Sequence, residues 1–267
     1  TSLLQAQKPN ILWIYAEDTS PWMGCYGDKI NANATPNIDS IAAAGVRFDR
    51  AYVPAPVCSA TRSALIVGQS AIRFGAHQHR SSRTQETRLF IPQDYKLLPE
   101  ILIENGYTTF NHGKADYNFI WDMTKTYNYK LKKRTDFSEL VHKQPFFGQI
   151  QLRGGKNNTD YLKESVRVDP NKVSVPTDYP DNEIFRKIVA QHYDAIRVDD
   201  KIIGQILQAL EQTGLHQNTI VVYFSDHGAN NLPRHKQMLT EGGLYVPFMV
   251  MGPDKYVPKN RFKKSFI

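Results

Sequence analysis

Cysteine is scarce. The 267 residues contain two, Cys25 and Cys58, too few for a disulfide framework. Neither has a partner motif, and each alone reads first as a small buried hydrophobe. No apolar run reaches the roughly 18 residues of a membrane-spanning helix, and no internal repeat or low-complexity linker divides the chain. Charge of one sign is not concentrated either. Lys and Arg number 33 against 26 Asp and Glu, a net +7, but the basic residues are spread along the whole chain. That excess suits an anionic partner without indicating nucleic acid. The basic and apolar parts of a secretory signal are missing. The opening Thr1-Ser2-Leu3-Leu4-Gln5-Ala6-Gln7 still fits the tail of one, with small residues near a cleavage point at Ala6. Residues 1–8 are therefore expected to be a signal remnant or disordered tail, and the protein to be periplasmic or secreted.

What is present is an alternation of strands and helices. Leu12 to Ala16 is a buried strand ending in Glu17-Asp18, and a helix opens at Thr35-Pro36 and is closed by Gly45. A second helix runs from Lys96 to Glu104, followed by a strand from Tyr107 to Phe110. Pro145 to Leu152 is another apolar strand. Residues 183–213 carry the strongest helical period, with Ile196, Ile203, Leu207 and Leu210 on one face and Gly214 at the end. Thr219 to Phe224 is a buried strand leading into Asp226-His227-Gly228, and Tyr245 to Met251 is the last. The stretch 122–143, rich in Lys and Tyr, is expected to be an inserted surface loop. This pattern predicts an α/β fold: a mostly parallel central sheet with helices on both faces. The end at Lys263-Lys264-Ser265-Phe266-Ile267 shows no closing element, so a smaller C-terminal sheet is expected to be missing. Ligands of such sheets sit outside the carboxyl ends of the strands, and two strands here end in acidic residues.

The sharpest local signal is Cys58-Ser59-Ala60-Thr61-Arg62, followed by an apolar run to Gly68. A cysteine at a helix start can be a thiol nucleophile, part of an anion site, or an inert cap. The stretch resembles the type I (formylglycine-dependent) sulfatase signature of the alkaline phosphatase superfamily, C-x-(P/A)-x-R, which marks the cysteine for oxidation. The resemblance runs on along the chain. Pro9-Asn10-Ile11-Leu12 through Asp18 is similar to the family's first strand and acidic pair, and Thr35-Pro36-Asn37-Ile38-Asp39 to its T-P-N-(I/L)-D helix start. Gly113-Lys114 is similar to its G-K element, Asp226-His227-Gly228 to its second metal pair, and Lys236 with Glu241-Gly242-Gly243 and Val246-Pro247 to its K-x4-E-G-G-x2-V-P segment.

The resemblance implies hydrolysis of sulfate monoesters, with residues 9–267 as the catalytic domain. A divalent cation would be held by Glu17, Asp18, Asp226, His227 and residue 58. Calcium is the family's ion, while the nitrogen ligand keeps magnesium or manganese open. Position 58, matured to formylglycine by a generating enzyme, would hydrate to a geminal diol. One hydroxyl attacks sulfur, and the other later expels sulfate. An ordinary serine would be stranded as a sulfate ester. Arg62, one helical turn on, can reach back to the diol and the sulfate, and Lys114 and Lys236 are point charges for sulfate oxygens. Two departures from the family leave the leaving-group acid open. Asp116 stands where G-K-x-H has His, and Lys156 lies near the place of a missing P-H. His77 is the first choice for that acid, His79 the second and His235 a third, with Lys156 and His235 otherwise substrate contacts and Asp116 a carboxylate that orients the diol or accepts its proton in the second step. The substrate is expected to be a sulfated carbohydrate, in part because of the aromatic, basic insertion at 122–143. The alternatives are an N-sulfatase, a phosphodiester or phosphonate hydrolase of the same superfamily, or a silent glycan-binding relative.

Overall fold

The structure, a computed structural model, describes residues 8–80, 84–259 and 261–266. Of the expected N-terminal tail, only Lys8 falls within them. Eight strands form one sheet: β1 (Asn10–Ala16), β2 (Gly45–Tyr52), β3 (Thr108–His112), β4 (Phe146–Leu152), β5 (Thr219–Ser225), β6 (Tyr245–Val246), β7 (Phe248–Met251) and β8 (Arg261–Phe266). Their order is β3-β4-β1-β5-β7-β2-β6, with β8 beside β2. The neighbours β3, β4, β1 and β5 run parallel, and β7 opposes both β5 and β2. The expected last strand is thus two, broken at Pro247, which has no N–H to give a ladder.

Among the described residues six α-helices accompany the sheet: α1 (Pro36–Ala43), α2 (Cys58–Val67), α3 (Leu98–Glu104), α4 (Met123–Thr126), α5 (Glu183–Gln212) and α6 (Glu241–Leu244). Side chains alternate along β1. Leu12, Ile14 and Ala16 face the core formed with α1 and α5, through Ile38, Ile41, Ile196, Ile203 and Ile206. The opposite face carries Trp13 and Tyr15, and Tyr15 meets α2, whose Arg62 guanidinium lies 4.2 Å from its ring centre. Helices therefore cover both faces.

One expectation is corrected and another refined. Gly45 does not cap α1 but opens β2, where a side chain would collide with the backbone of Val250 on β7. The insertion at 122–143 lies largely on the surface, as expected, but it is anchored rather than loose. Its Leu131, Phe137 and Leu140 are buried in the main core, and its backbone at Tyr129 donates to the carbonyl of Thr109 at 3.0 Å. It covers the outer edge of β3, the usual remedy for an exposed strand edge.

The 30-residue α5 does more than fill the core. Three of its carboxylates are buried: Asp194, Asp199 and Asp200. Each accepts from a backbone N–H elsewhere: Asp194 from Val168 (2.9 Å), Asp199 from Gly154 (3.0 Å) and Asp200 from Ile38 (2.8 Å). Asp200 thereby caps α1, whose Thr35 makes no side-chain cap of its own.

Candidate active site

The site grows from the carboxyl ends of β1 and β5. These strands are in register up to Ala16 opposite Ser225, so the residues that follow meet. The backbone N–H of Asp18 donates to Asp226 Oδ1 at 3.0 Å, and that of Thr19 to Ser225 Oγ at 3.0 Å. Asp18 is held in the left-handed region at φ 51°, a conformation that a non-glycine residue keeps only when its surroundings enforce it.

Residue 58 is the first residue of α2, packed against these strand ends and 1% exposed. Its Sγ lies 3.1 Å from His227 Nε2, 3.7 Å from Asp18 Oδ1 and 4.0 Å from Lys156 Nζ. Asp18, Cys58, Asp226 and His227 each place one ligand atom within 4.8 Å of the others, and all four are buried. Glu17 stands outside that cluster. Its carboxylate accepts from Lys156 Nζ at 2.7 Å and from Lys114 Nζ.

The donor set fits a cation. The Nδ1 of His227 lies 2.8 Å from the carbonyl of Gly228, and a carbonyl only accepts, so Nδ1 carries the hydrogen. Its Nε2 then faces an oxygen of Asp18 2.9 Å away. Two lone pairs at that distance repel unless a proton or a metal ion lies between them. Burial alone would lower the pKa of this imidazole. The charge of Asp226 and the hydrogen bonds to Asp18 and Cys58 override it and push the pKa up to about 10. Asp18 and Asp226 respond in kind. Burial raises both carboxyls, but the His227 charge, with Lys236 on Asp18 and Arg62 on Asp226, holds them below the usual range.

Four fixed cations ring the cluster. Arg62 is fully buried. It donates from Nε to Asp226 at 2.9 Å and from one terminal nitrogen to Gln151 at 2.7 Å and to the carbonyl of Lys114 at 3.2 Å. Its other terminal nitrogen is buried without a partner. Lys236 reaches Asp18 at 3.0 Å. Lys114 bridges Glu17 and Asp116, the latter at 3.0 Å. For Lys114, Lys156 and Lys236, burial works against the charge, but the carboxylates beside them raise all three pKa values. Lys156 is therefore held as an ammonium and is unsuited to giving up a proton.

The remaining predicted residues divide. His79 is partly buried. Burial lowers its pKa, and Lys236, Lys114 and Arg80 lower it further against the pull of Asp116. Its loop is tied to α2, because the N–H of Arg80 donates to Ser59 Oγ at 2.8 Å. His77, two residues earlier, is exposed. Asp116 is clamped between Arg80 (2.6 Å) and Lys114. His235 is buried behind Lys236, its Nδ1 2.8 Å from the hydroxyl of Tyr179.

Sequence reasoning missed three contributors. Gln151 and Tyr15 hold Arg62 from two sides, and polar glutamines inside the wholly buried β4 were the available signal. Asp199 is the third. It accepts from the N–H of Gly154 and from Asn157 (2.7 Å), and so fixes the turn that carries Lys156. At Gly154 a side chain would run into the Glu17 carbonyl, so this turn lies directly on the acidic pair. Asp199→Ala is expected to lower the melting temperature through an unmet buried N–H costing about 1–3 kcal/mol. It should also cut kcat by roughly 10- to 100-fold through misplacement of Lys156. Asp199→Asn, keeping one acceptor, should recover much of both. Equal kcat in all three proteins would remove Asp199 from this role.

The family model described as Sulfatase matches residues 9–265. An ulvan-active sulfatase of Formosa agariphila is 27% identical over 297 residues, covering 96% of this chain and 49% of that protein. The N-acetylgalactosamine-6-sulfatase of Rattus norvegicus is 29% identical over 287 residues, covering 91% of this chain and 53% of that protein. The chain thus spans about half the length of these curated relatives. Among solved structures, Ps i-CgsB in complex with k-i-k-neocarrahexaose shares the fold. Its TM-score is 0.67 at 24% identity, over 98% of this chain and 69% of that one. With the family match running almost from end to end, the chain belongs to the sulfatase family.

Proposed function

We propose that this chain hydrolyses sulfate monoesters of a carbohydrate, using residue 58 as formylglycine together with a divalent cation, calcium before magnesium or manganese. The observation that carries the reading is the buried cluster of Asp18, Cys58, Asp226 and His227, beside an Arg62 nitrogen that still lacks an acceptor. The sulfated glycan is supported by the names of the relatives, not by the 122–143 insertion, which packs along the outer edge of β3. A maturing enzyme that oxidises Cys58 is part of the proposal. A polymeric substrate places the protein in the periplasm or outside the cell. Among the described residues no helix is long and apolar enough to cross a membrane.

Asp18, Asp226, His227 and position 58 would hold the ion, which supplies a Lewis acid for the sulfate oxygens and the nucleophile. Hydrated formylglycine would supply two hydroxyls, one to displace the alcohol from sulfur and one to expel sulfate afterwards. The chain's own residues do the rest. Lys114, Lys156 and Lys236 neutralise charge that builds on the sulfonate group, and the free nitrogen of Arg62 orients it. Asp116 holds Lys114 and Arg80 in place.

An alkoxide is a poor leaving group, so a positioned acid is worth roughly 10² to 10⁴ in rate. His79 takes this role in preference to His77, because His79 is partly buried and feels the charges of Asp116, Lys236 and Lys114, whereas His77 is exposed. His79→Ala should slow a sulfated sugar by that factor and largely spare 4-nitrophenyl sulfate, whose phenolate leaves unaided. Because burial and the neighbouring cations lower the imidazole pKa, the acid form is present at low pH and is lost as pH rises, earlier than for an ordinary imidazole, and sugar hydrolysis should decline with it. A His79→Ala protein that slows both esters alike would move the acid elsewhere.

A further inference from the structure

A cleft of about 370 Å³ shares a wall with the site, and its volume falls in the range of roughly 300–1,000 Å³ usual for small ligands. Lys156 lines it. The same side chain runs to the acidic pair, its ammonium 2.7 Å from Glu17 and 4.0 Å from Cys58 Sγ. Gly155 forms more of the wall. Its N–H donates to the Glu17 carbonyl at 2.8 Å, and a side chain there would meet the Asp18 carbonyl and the His192 ring. The cleft thus rests on the backbone of the acidic pair, and one lysine side chain spans the interval from its wall to residue 58.

Three polar groups of the lining have hydrogen-bonding capacity that the protein does not use. His192 is 4% exposed, and its Nε2 accepts from the N–H of Ser20 at 3.3 Å. Burial, helped by His235 and only weakly opposed by Asp18, pushes its pKa down to about 3, so the ring is neutral. A neutral imidazole keeps one hydrogen, here on Nδ1. Thr159 is also 4% exposed, and its hydroxyl can both give and accept. Asn157 uses its amide hydrogens on α5, on Asp199 at 2.7 Å and on the Ala195 carbonyl at 3.2 Å, which leaves its oxygen. Among the described residues none of these three groups has a hydrogen-bond partner, yet none is sealed in the interior. Buried polar side chains are nearly always paired, so unpaired ones along a cleft mark what its ligand supplies.

The charges of the cleft are already matched. Lys156 is held by Glu17, and Asp160, the other charged residue of the lining, lies 3.2 Å from Arg167. The rest of the polar rim is amide: Asn158, Gln191, Asn230 and Asn231. An amide offers donors and an acceptor in one group, which suits the hydroxyls or the acetamido group of a sugar. Among the described lining residues no cation is left over for a further sulfate. We infer that this cleft is a subsite for an uncharged sugar unit of the glycan, joined to the unit whose ester is cleaved, with Lys156 standing between the two. The inference rests on the sulfate-ester reading above.

The test offers the matured protein 4-nitrophenyl sulfate and the monosulfates of galactose and N-acetylgalactosamine. Each sugar is also offered extended by one galactose, either uncharged or itself sulfated, and scored by the sulfate lost from the first unit. Release from any of these esters establishes the sulfate-ester reading by itself; release from none removes that reading and the subsite with it. Given release, the uncharged extension should raise kcat/KM over the monosaccharide by about tenfold or more, the scale of two or three added hydrogen bonds. The sulfated extension should bring no such gain. Thr159→Val should reduce the gain by about three- to tenfold, the effect of one hydrogen bond. Because Thr159 is buried, Gln191→Lys provides a second check. Gln191 is exposed on α5, and a cation there should favour the sulfated extension relative to the uncharged one. Every readout is a ratio within one protein, so a general loss of activity cancels. No gain from the uncharged extension in the unaltered protein, or an equal gain from the sulfated one, would overturn the inference while leaving the sulfatase reading intact. Ratios unmoved by both substitutions would do the same.

Discussion

Cys58→Ala is expected to reduce turnover by about 10⁴-fold or more, the scale seen when a covalent nucleophile is removed. Cys58→Ser is expected to fail differently. A serine hydroxyl at the same place, beside His227 and Lys156, could displace an alcohol from sulfur once. It has no second hydroxyl with which to expel the sulfate. The protein should therefore release one equivalent of alcohol and stop, with the mass of one SO₃ group added to the peptide containing residue 58. The unaltered, matured protein should show an aldehyde or its hydrate in that peptide, reactive toward a hydrazine. Made in a host without the maturing enzyme, it should keep the thiol and be inactive. A fully active preparation with an unmodified Cys58 thiol would sink the mechanism.

The elements that carry the site were legible because each has a strong local signature. Ile11 to Ala16 and Ile220 to Phe224 are apolar runs followed closely by charge, and parallel strands buried on both faces read this way. The helix at 183–212 declared itself by period. β2 was not legible. Its Arg47, Asp49 and Arg50 interrupt the pattern, and the strand lies among short partners near one side of the sheet, where charge can reach water. The insertion's surface position was legible from its Lys and Tyr, but its anchoring was not, because Leu131, Phe137 and Leu140 are spaced too widely to show a period.

Within the site, motif position identified charges but not their pairing. Glu17 and Asp18 are adjacent, yet the backbone turns between them through the positive φ of Asp18. One carboxylate goes to Lys114 and Lys156, the other to His227 and Lys236. His77 and His79 likewise have the same residue type and the same loop. What separates them is that His77 is exposed while His79 is partly buried, next to an Arg80 whose N–H is tied to Ser59 on α2. Long-range hydrogen bonds of this kind leave no mark on local sequence.

Chelation is expected to abolish turnover, and calcium to restore it at least as well as magnesium, since calcium tolerates irregular, oxygen-rich ligand sets. The ligand variants should separate metal loss from unfolding. Asp226→Ala strands Arg62, which is buried and ion-paired at 2.9 Å, and a buried pair broken on one side costs about 3–5 kcal/mol. That protein should lose metal, activity and much of its stability. Asp226→Asn keeps the shape and an acceptor for Arg62, so it should stay folded while binding the ion far more weakly. Proton linkage gives the sharper check. In the metal-free protein His227 has its pKa raised from 6.5 to about 10, so at neutral pH a proton occupies the place the ion must take. Asp18 and Asp226 are lowered and already ionised there. Binding should thus release about one proton per ion, and affinity should rise about tenfold per pH unit, levelling off above pH 10. Calorimetry in two buffers of different ionisation enthalpy measures that proton directly. An affinity that stays flat between roughly pH 6 and 9, or an ion that binds equally well to His227→Ala, would take His227 out of the ligand set.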